Sequence, residues 1–325
     1  MEEKPVDFIR ESTRNLLKLN RRIQREEDSD VYRSVDSLNL TSEQLCDIAN
    51  RLKTKSSVTT AELHKLKNVL IDDKKNIDQV LSIQGALKGL VRELSGNDVK
   101  RQCAAAGCCS NLALGDSRGC IAVTKAAGPY LVAALGNLTT ELTVTSAWAV
   151  GNLAGSGVRP CQLLRAQGGL AKLIALLHGN EDVRDAALYA LVHFGYHLKD
   201  DLSVDHVEAM VEALSTLEIS MASSHLLFIL SCHKYFDDKP LPWLLVSKMI
   251  DAVVSIINCN SSKEKQHQLV YLIRCLANTA SVAYKCDIRN RLANFNEYLH
   301  KLLESEDKFI TESLLWLLSV LYNND

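Results

Sequence analysis

Trp148 and Asn152 stand four residues apart in TSAWAVGNLAGSG, 145–157, the spacing that puts two side chains on one face of a helix. An asparagine amide offers both a donor and an acceptor, so it can hold the main chain of an extended peptide whatever its sequence. A tryptophan face packs the aliphatic stem of a lysine or arginine and attracts its charged end. The register recurs: Asn152 aligns with Asn111, His193, Cys232, Asn278 and Val320, at successive intervals of 41, 41, 39, 46 and 42 residues. Trp148 in turn aligns with Gly107, Tyr189, Phe228, Arg274 and Trp316. One turn before the Trp position stand Asp185 and Glu312, whose carboxylates suit a cationic side chain. The candidate binding residues are therefore Asn111, Trp148, Asn152, Asp185, Tyr189, His193, Asn278, Glu312 and Trp316. A structural reading stands beside this one, with the tryptophan packed in a core and each asparagine bonded to a neighbouring segment. On the binding reading, replacing Asn111 and Asn152 by Ala weakens a partner's grip with little loss of fold, at about 1 kcal/mol per hydrogen bond.

Such residues need a scaffold that repeats. QGALKGLVREL from 84, AAGPYLVAAL from 126 and QGGLAKLIALL from 167 each place a glycine (Gly85, Gly128, Gly168) at the mouth of an apolar helix, at intervals of 43 and 40 residues. A short polar turn and a second, more apolar helix follow each. Farther on, VDHVEAMVEAL keeps apolar residues at helical spacing, and Pro240 and Pro242 mark a turn before a helix from about Leu244. Periods of about 40–47 residues with two or three helices each are those of armadillo and HEAT repeats, whose units bury one another's apolar faces. The expected architecture is all-α: a right-handed superhelical solenoid of about six to seven armadillo repeats over 83–325, a helical cap or degenerate first repeat over 38–82, and a charged N-terminal arm over 1–37.

The totals agree with this. The chain has 325 residues, 47% apolar and 23% charged, with 5 prolines and a net charge of −2. Scarce proline favours helix, and near-neutrality leaves no global field toward nucleic acid or an anionic surface. The longest apolar stretch, Leu241 to Cys259, is interrupted by Lys248 and Asp251, so no membrane span is expected. None of the 10 cysteines forms a C-x-x-C pair and most sit in apolar helical patterns, where a thiol packs as a small hydrophobe. MEEKPVDFIR is not a signal peptide. These features point to a reducing compartment, cytosol or nucleus.

TSAWAVGNLAGSGVRPCQLLRAQGGLAKLIALL, 145–177, resembles an importin-α armadillo repeat. The resemblance implies that the third helix of each repeat lines a concave groove and that Trp-x-x-x-Asn pairs there hold a basic import signal. This chain keeps one complete pair. Gly107, Arg274 and Phe228 replace the tryptophan elsewhere, which puts a standard import-signal receptor in doubt and favours an importin-α-like relative with altered cargo. Upstream, Arg10, Arg14, Lys18, Arg22 and Arg25, with Arg21 beside them, form a cationic stripe at helical spacing. TRNLLKLNRRIQREED is similar to a diluted importin-β-binding helix, and arm plus repeats together resemble the importin-α-like transmembrane-and-coiled-coil-domain protein 6 family. The implied partner of the arm is an importin-β-type carrier. A solvated charged leader is the competing reading, and contact with a membrane surface or nucleic acid is a third.

No catalytic pattern competes. GNLAGSG, 151–157, lacks the strand before and the Lys-Ser/Thr after that a phosphate loop needs. Cys108–Cys109 and Cys232–His233 are neighbours, yet no His/Cys quartet has zinc spacing. The expectation is a non-enzymatic binding protein with no cofactor and no metal, whose partner is a protein or peptide.

Overall fold

The computed structural model describes residues 40–199, 201–258, 263–293, 296–304 and 307–323. Among them the secondary structure is helical throughout, with no strand. The chain divides into two compact units, one ending at His197 and one beginning at Leu198.

The first unit contains α1 (Ser42–Thr54), α2 (Thr60–Asp72), α3 (Lys74–Ser82), α4 (Ala86–Leu94), α5 (Val99–Leu112), α6 (Ser117–Ala134), α7 (Thr140–Gly155), α8 (Val158–Ala166), α9 (Gly169–Leu176) and α10 (Glu181–Leu198). Two parallel rows emerge. Helices α2, α5, α7 and α10 are the third helices of successive layers, and α2 packs on α5 as α5 packs on α7. Their buried faces are made of small and aliphatic residues, among them Ala104, Ala105, Ala106, Cys108 and Leu112 of α5 and Ala147, Val150, Leu153 and Ala154 of α7. Small side chains let the helices approach and leave few voids. The second helices α1, α4, α6 and α9 form the other row, with Leu52, Leu90, Leu131 and Leu173 fully buried.

Local chemistry sets the helix ends. Thr41 with Gln44 and Thr59 with Glu62 are reciprocal capping boxes, each satisfying donors that the first turn leaves open. Gly85 (φ 101°) and Gly168 (φ 84°) turn the chain into α4 and α9 from the left-handed region, where a side chain is strained. Gly128 does not follow them. The expected turn there is absent, and α6 runs unbroken through Gly128 and Pro129. A Cβ on Gly128 would stand 2.5 Å from Gln167 Oε1, so this glycine sits in a helix against a side-chain tip and makes no turn.

Carbonyls near the C-terminal ends of second helices receive cations from the following layer. Arg92 of α4 donates to the Leu52 carbonyl of α1 at 3.2 Å, and Lys172 of α9 to the Val132 carbonyl of α6 at 2.9 Å. Both place positive charge where the helix dipole favours it.

The second unit contains α11 (Val204–Thr216), α12 (Met221–Ser231), a single 3-10 turn (Lys234–Phe236), α13 (Trp243–Asn258), α14 (Lys263–Val282), α15 (Lys285–Ala293), α16 (Asn296–Leu303) and α17 (Lys308–Tyr322). Its third helices are α12, α14 and α17, packed in that order. The cation rule holds here also: Lys248 of α13 donates to the Ser215 carbonyl of α11 at 2.9 Å and the Leu217 carbonyl at 3.2 Å. The turn at Pro240 and Pro242 precedes a helix that starts at Trp243, one residue before the expected start.

Glu62 joins α1 to α2. Its carboxylate accepts from the Thr59 backbone and hydroxyl, each at 2.8 Å, and pairs with Arg51, which also donates to the Ser57 carbonyl at 3.0 Å. The Arg51 bond, working against burial, holds the Glu62 carboxyl down at about 2 from its ordinary 4.5. A depressed carboxylate stabilises the fold above its ordinary pKa and ceases to do so as pH falls through the folded value. Urea unfolding should therefore show a contribution of about 2 kcal/mol that is present above pH 4.5 and lost toward pH 2. Glu62→Gln should flatten that limb, and an unchanged acid limb in the variant would refute this assignment.

Candidate functional site

The third helices carry most of the sequence-expected residues, and their amides are bonded between layers. Asn111 of α5 donates through Nδ2 to the Lys67 carbonyl of α2 at 2.5 Å. Asn152 of α7 donates to the Ser110 carbonyl of α5 at 3.2 Å and to its hydroxyl at 2.9 Å, and its Oδ1 accepts from the Tyr189 hydroxyl of α10 at 2.7 Å. In the second unit Asn278 of α14 donates to the Ser231 hydroxyl of α12 at 2.9 Å. One rule covers all three: the amide reaches the residue just before its own counterpart in the previous layer. That rule adds Asn68 to the register, 43 residues before Asn111, and His64 to the Trp position. The sequence reading had no copy in α2, although the interval itself gives both residues.

These bonds change the expected role of the asparagines. Asn111 and Asn152 are 7% and 5% exposed, and the Asn152 amide uses donor and acceptor within the protein. Buried amides must be paired, and close packing of the third helices supplies the partners. The geometry thus fits the structural reading of Asn111 and Asn152 better than a free main-chain clamp.

The aromatic positions differ. Trp148 and Tyr189 are both half-buried, and their rings pack across the layer boundary with centroids 4.3 Å apart at 39°. Gly151 allows it, since a Cβ there would lie 2.8 Å from the Tyr189 ring. His193 lies edge-on to Tyr189 at 4.8 Å and is itself buried. Asp185 is exposed one turn before Tyr189 on α10. Partial burial raises its pKa, Arg184 opposes the shift, and Glu181 and Asp182 add to it. Near the other end of this row the side chain missing at Gly107 is replaced by the Lys67 stem, whose Cδ lies 2.5 Å from where a Cβ would stand. His64 is held below its usual pKa by burial first and Lys67 second, with Glu141 opposing.

In the second unit Trp316 is 43% exposed, and Glu312 is exposed and paired with Lys308 at 3.4 Å. The Trp position of α14 holds Arg274, which donates through Nε to the Ser313 hydroxyl of α17 at 2.9 Å and lies over the Phe228 ring of α12 at 6.0 Å. Arg10, Arg14, Lys18, Arg21, Arg22 and Arg25 lie outside the described residues.

Among the described residues no His/Cys/Asp/Glu group is arranged to hold a metal, and no helix is long and apolar enough to cross a membrane. The described cysteines are free thiols. Burial pushes Cys109, Cys161 and Cys275 up to about 12, which keeps them protonated and poorly nucleophilic.

No protein-family model matches the chain. No curated protein matches it either. Solved structures do. An engineered protein superposes with a TM-score of 0.70 at 21% identity, covering 86% of this chain and 69% of that one. A designed armadillo repeat protein superposes with a TM-score of 0.50 at 18% identity, covering 85% and 99%. The likeness is one of fold, and the fold is the armadillo-repeat solenoid.

If the asparagines tie the layers together, Asn152→Ala removes three hydrogen bonds and strips a buried carbonyl and two hydroxyls of a partner. Urea unfolding should show a loss of about 2 kcal/mol for Asn152→Ala and about 1 kcal/mol for Asn111→Ala. Wild-type stability in both variants would return these residues to the partner-binding role.

Proposed function

We propose that the chain is an armadillo adaptor that holds an extended segment of a partner protein against its third helices, with a lysine or arginine of that segment seated at the Trp148–Tyr189 pair. The observation that carries this reading is the pair itself: two half-buried rings at 4.3 Å, with the Asp185 carboxylate one helical turn away. Ring faces attract a cation by about 0.5–2 kcal/mol. The acidic N-terminal turn of α10, with Glu181 and Asp182, adds favourable charge for the same guest. In this arrangement selectivity comes from ring and carboxylate, while Asn152 keeps the rings' helices in register.

A fluorescein-labelled Lys/Arg-rich peptide should bind the full chain. Trp148→Ala combined with Asp185→Asn should weaken it about tenfold, in protein that keeps its helical circular-dichroism signal at the assay temperature. Binding that ignores both substitutions would rule out this seat.

The finer reading is nuclear import, with the chain moving between cytoplasm and nucleus. It is supported by the arm, where Arg10, Arg14, Lys18, Arg21, Arg22 and Arg25 recur at helical spacing, the chemistry of an importin-β-type carrier ligand. An importin-β pull-down should retain the intact chain and lose a chain lacking residues 1–37. Equal recovery of both, or of neither, leaves a protein-interaction scaffold without import activity.

A further inference from the structure

The second unit presents a different chemistry along its third helices. Met221, His225, Phe228 and Cys232 follow one another at intervals of four, three and four, and so do His267, Tyr271, Arg274 and Asn278. Each set is therefore one stripe of one helix face, in the register that carries Trp148 in the first unit. The stripes meet as an aromatic shelf. His225 stacks on Tyr271 at 4.2 Å and 4°, and Phe228 lies 5.9 Å from the same ring. Burial pushes His225 down to about 4, so its ring is neutral near pH 7 and serves as surface, not charge.

Arg274 is the fixed cation of this shelf. Its Nε is spent on the Ser313 hydroxyl and its plane lies over Phe228, which orients the guanidinium and leaves the two terminal nitrogens to a guest. Among the described residues no ion pair to Arg274 is found: Asp251 pairs with Arg291, and Glu312 with Lys308. Helix α12 contains no Asp, Glu, Lys or Arg, and between Gln266 and Val282 the one such residue of α14 is Arg274. A half-buried guanidinium held by a neutral hydroxyl lacks the bidentate carboxylate it is shaped to take.

The geometry points to a second docking surface on α12, α14 and α17, for an acidic extended segment of a partner protein, with a Glu or Asp carboxylate forked onto Arg274 and a neighbouring apolar side chain on the His225–Tyr271–Phe228 shelf. The inference rests on the reading that third helices carry the partner, yet it asks for a guest of the opposite charge to the one proposed at Trp148.

The test measures fluorescence anisotropy of the full chain with two labelled probes, a peptide alternating Glu and Phe and a peptide alternating Lys and Phe. The acidic probe should bind, its affinity should fall as salt rises, and Arg274→Gln should weaken it about tenfold. Arg274→Lys, which keeps charge without the fork, should lie between, and Ser313→Ala, which frees the guanidinium without removing it, should cause a smaller loss. Trp148→Ala should leave the acidic probe unaffected. Acidic-probe affinity equal in the wild type and in folded Arg274→Gln would overturn the inference, even with Trp148-dependent binding of the basic probe intact. Failure of both probes would instead overturn the underlying reading of the third-helix face.

Discussion

No single layer of this chain can cover its own apolar surface, so each unit depends on the seating of one third helix against the next. That contact is close, built largely from alanines, cysteines and leucines in α5 and α7, and polar bonds cross it at a few places. The Asn111, Asn152 and Asn278 amides each reach back to the preceding helix. An apolar contact alone tolerates sliding by a turn. A buried amide does not, because a slipped register leaves donor and acceptor unpaired at a cost comparable to the bond itself. The asparagines therefore set the register that the apolar side chains stabilise.

The outer row has its own form of register. Arg92, Lys172 and Lys248 cover the last carbonyls of the second helix in the layer before. These bonds lie near the surface and contribute modestly to stability. They sit at helix ends, where the dipole rewards positive charge and where an unpaired carbonyl would otherwise need water. The amide contacts thus tie successive third helices and the cation contacts successive second helices.

Much of this was legible in the sequence, for physical reasons that also explain what was not. Repeat intervals, the glycine starts at Gly85 and Gly168 and the proline turn before Trp243 are local signals, and local signals survive in a string of letters. Gly128 was misread because a glycine inside a helix looks the same in the sequence as one that supplies a positive φ. The role of Asn152 was not legible, since whether an amide meets solvent or Ser110 depends on a residue 42 positions away. Asn68 and His64 were missed because the α2 segment, TAELHKLKNVLID, has no tryptophan and no glycine start to draw attention to its register. Ser313, Tyr271 and His225 carry no motif; only the packing of α12, α14 and α17 makes a shelf of them.

The two registers of a third helix do different work, and that separation is what lets the fold carry a variable surface. One position is tied to the layer behind it where it holds asparagine, at Asn111, Asn152 and Asn278; it reads Asn68 and His193 in the other layers of the first unit and Cys232 and Val320 in the second. The position four residues earlier faces outward and reads His64, Gly107, Trp148 and Tyr189 there, and Phe228, Arg274 and Trp316 in the second unit. Ring, cation and empty space replace one another at this position, while the one behind it keeps asparagine at Asn111, Asn152 and Asn278. Where the side chain is absent, at Gly107, the Lys67 stem from the previous layer fills the place. On the proposed reading a guest is selected layer by layer by what this position holds, and the Trp148 and Arg274 layers are proposed to take guests of opposite charge on the same backbone plan.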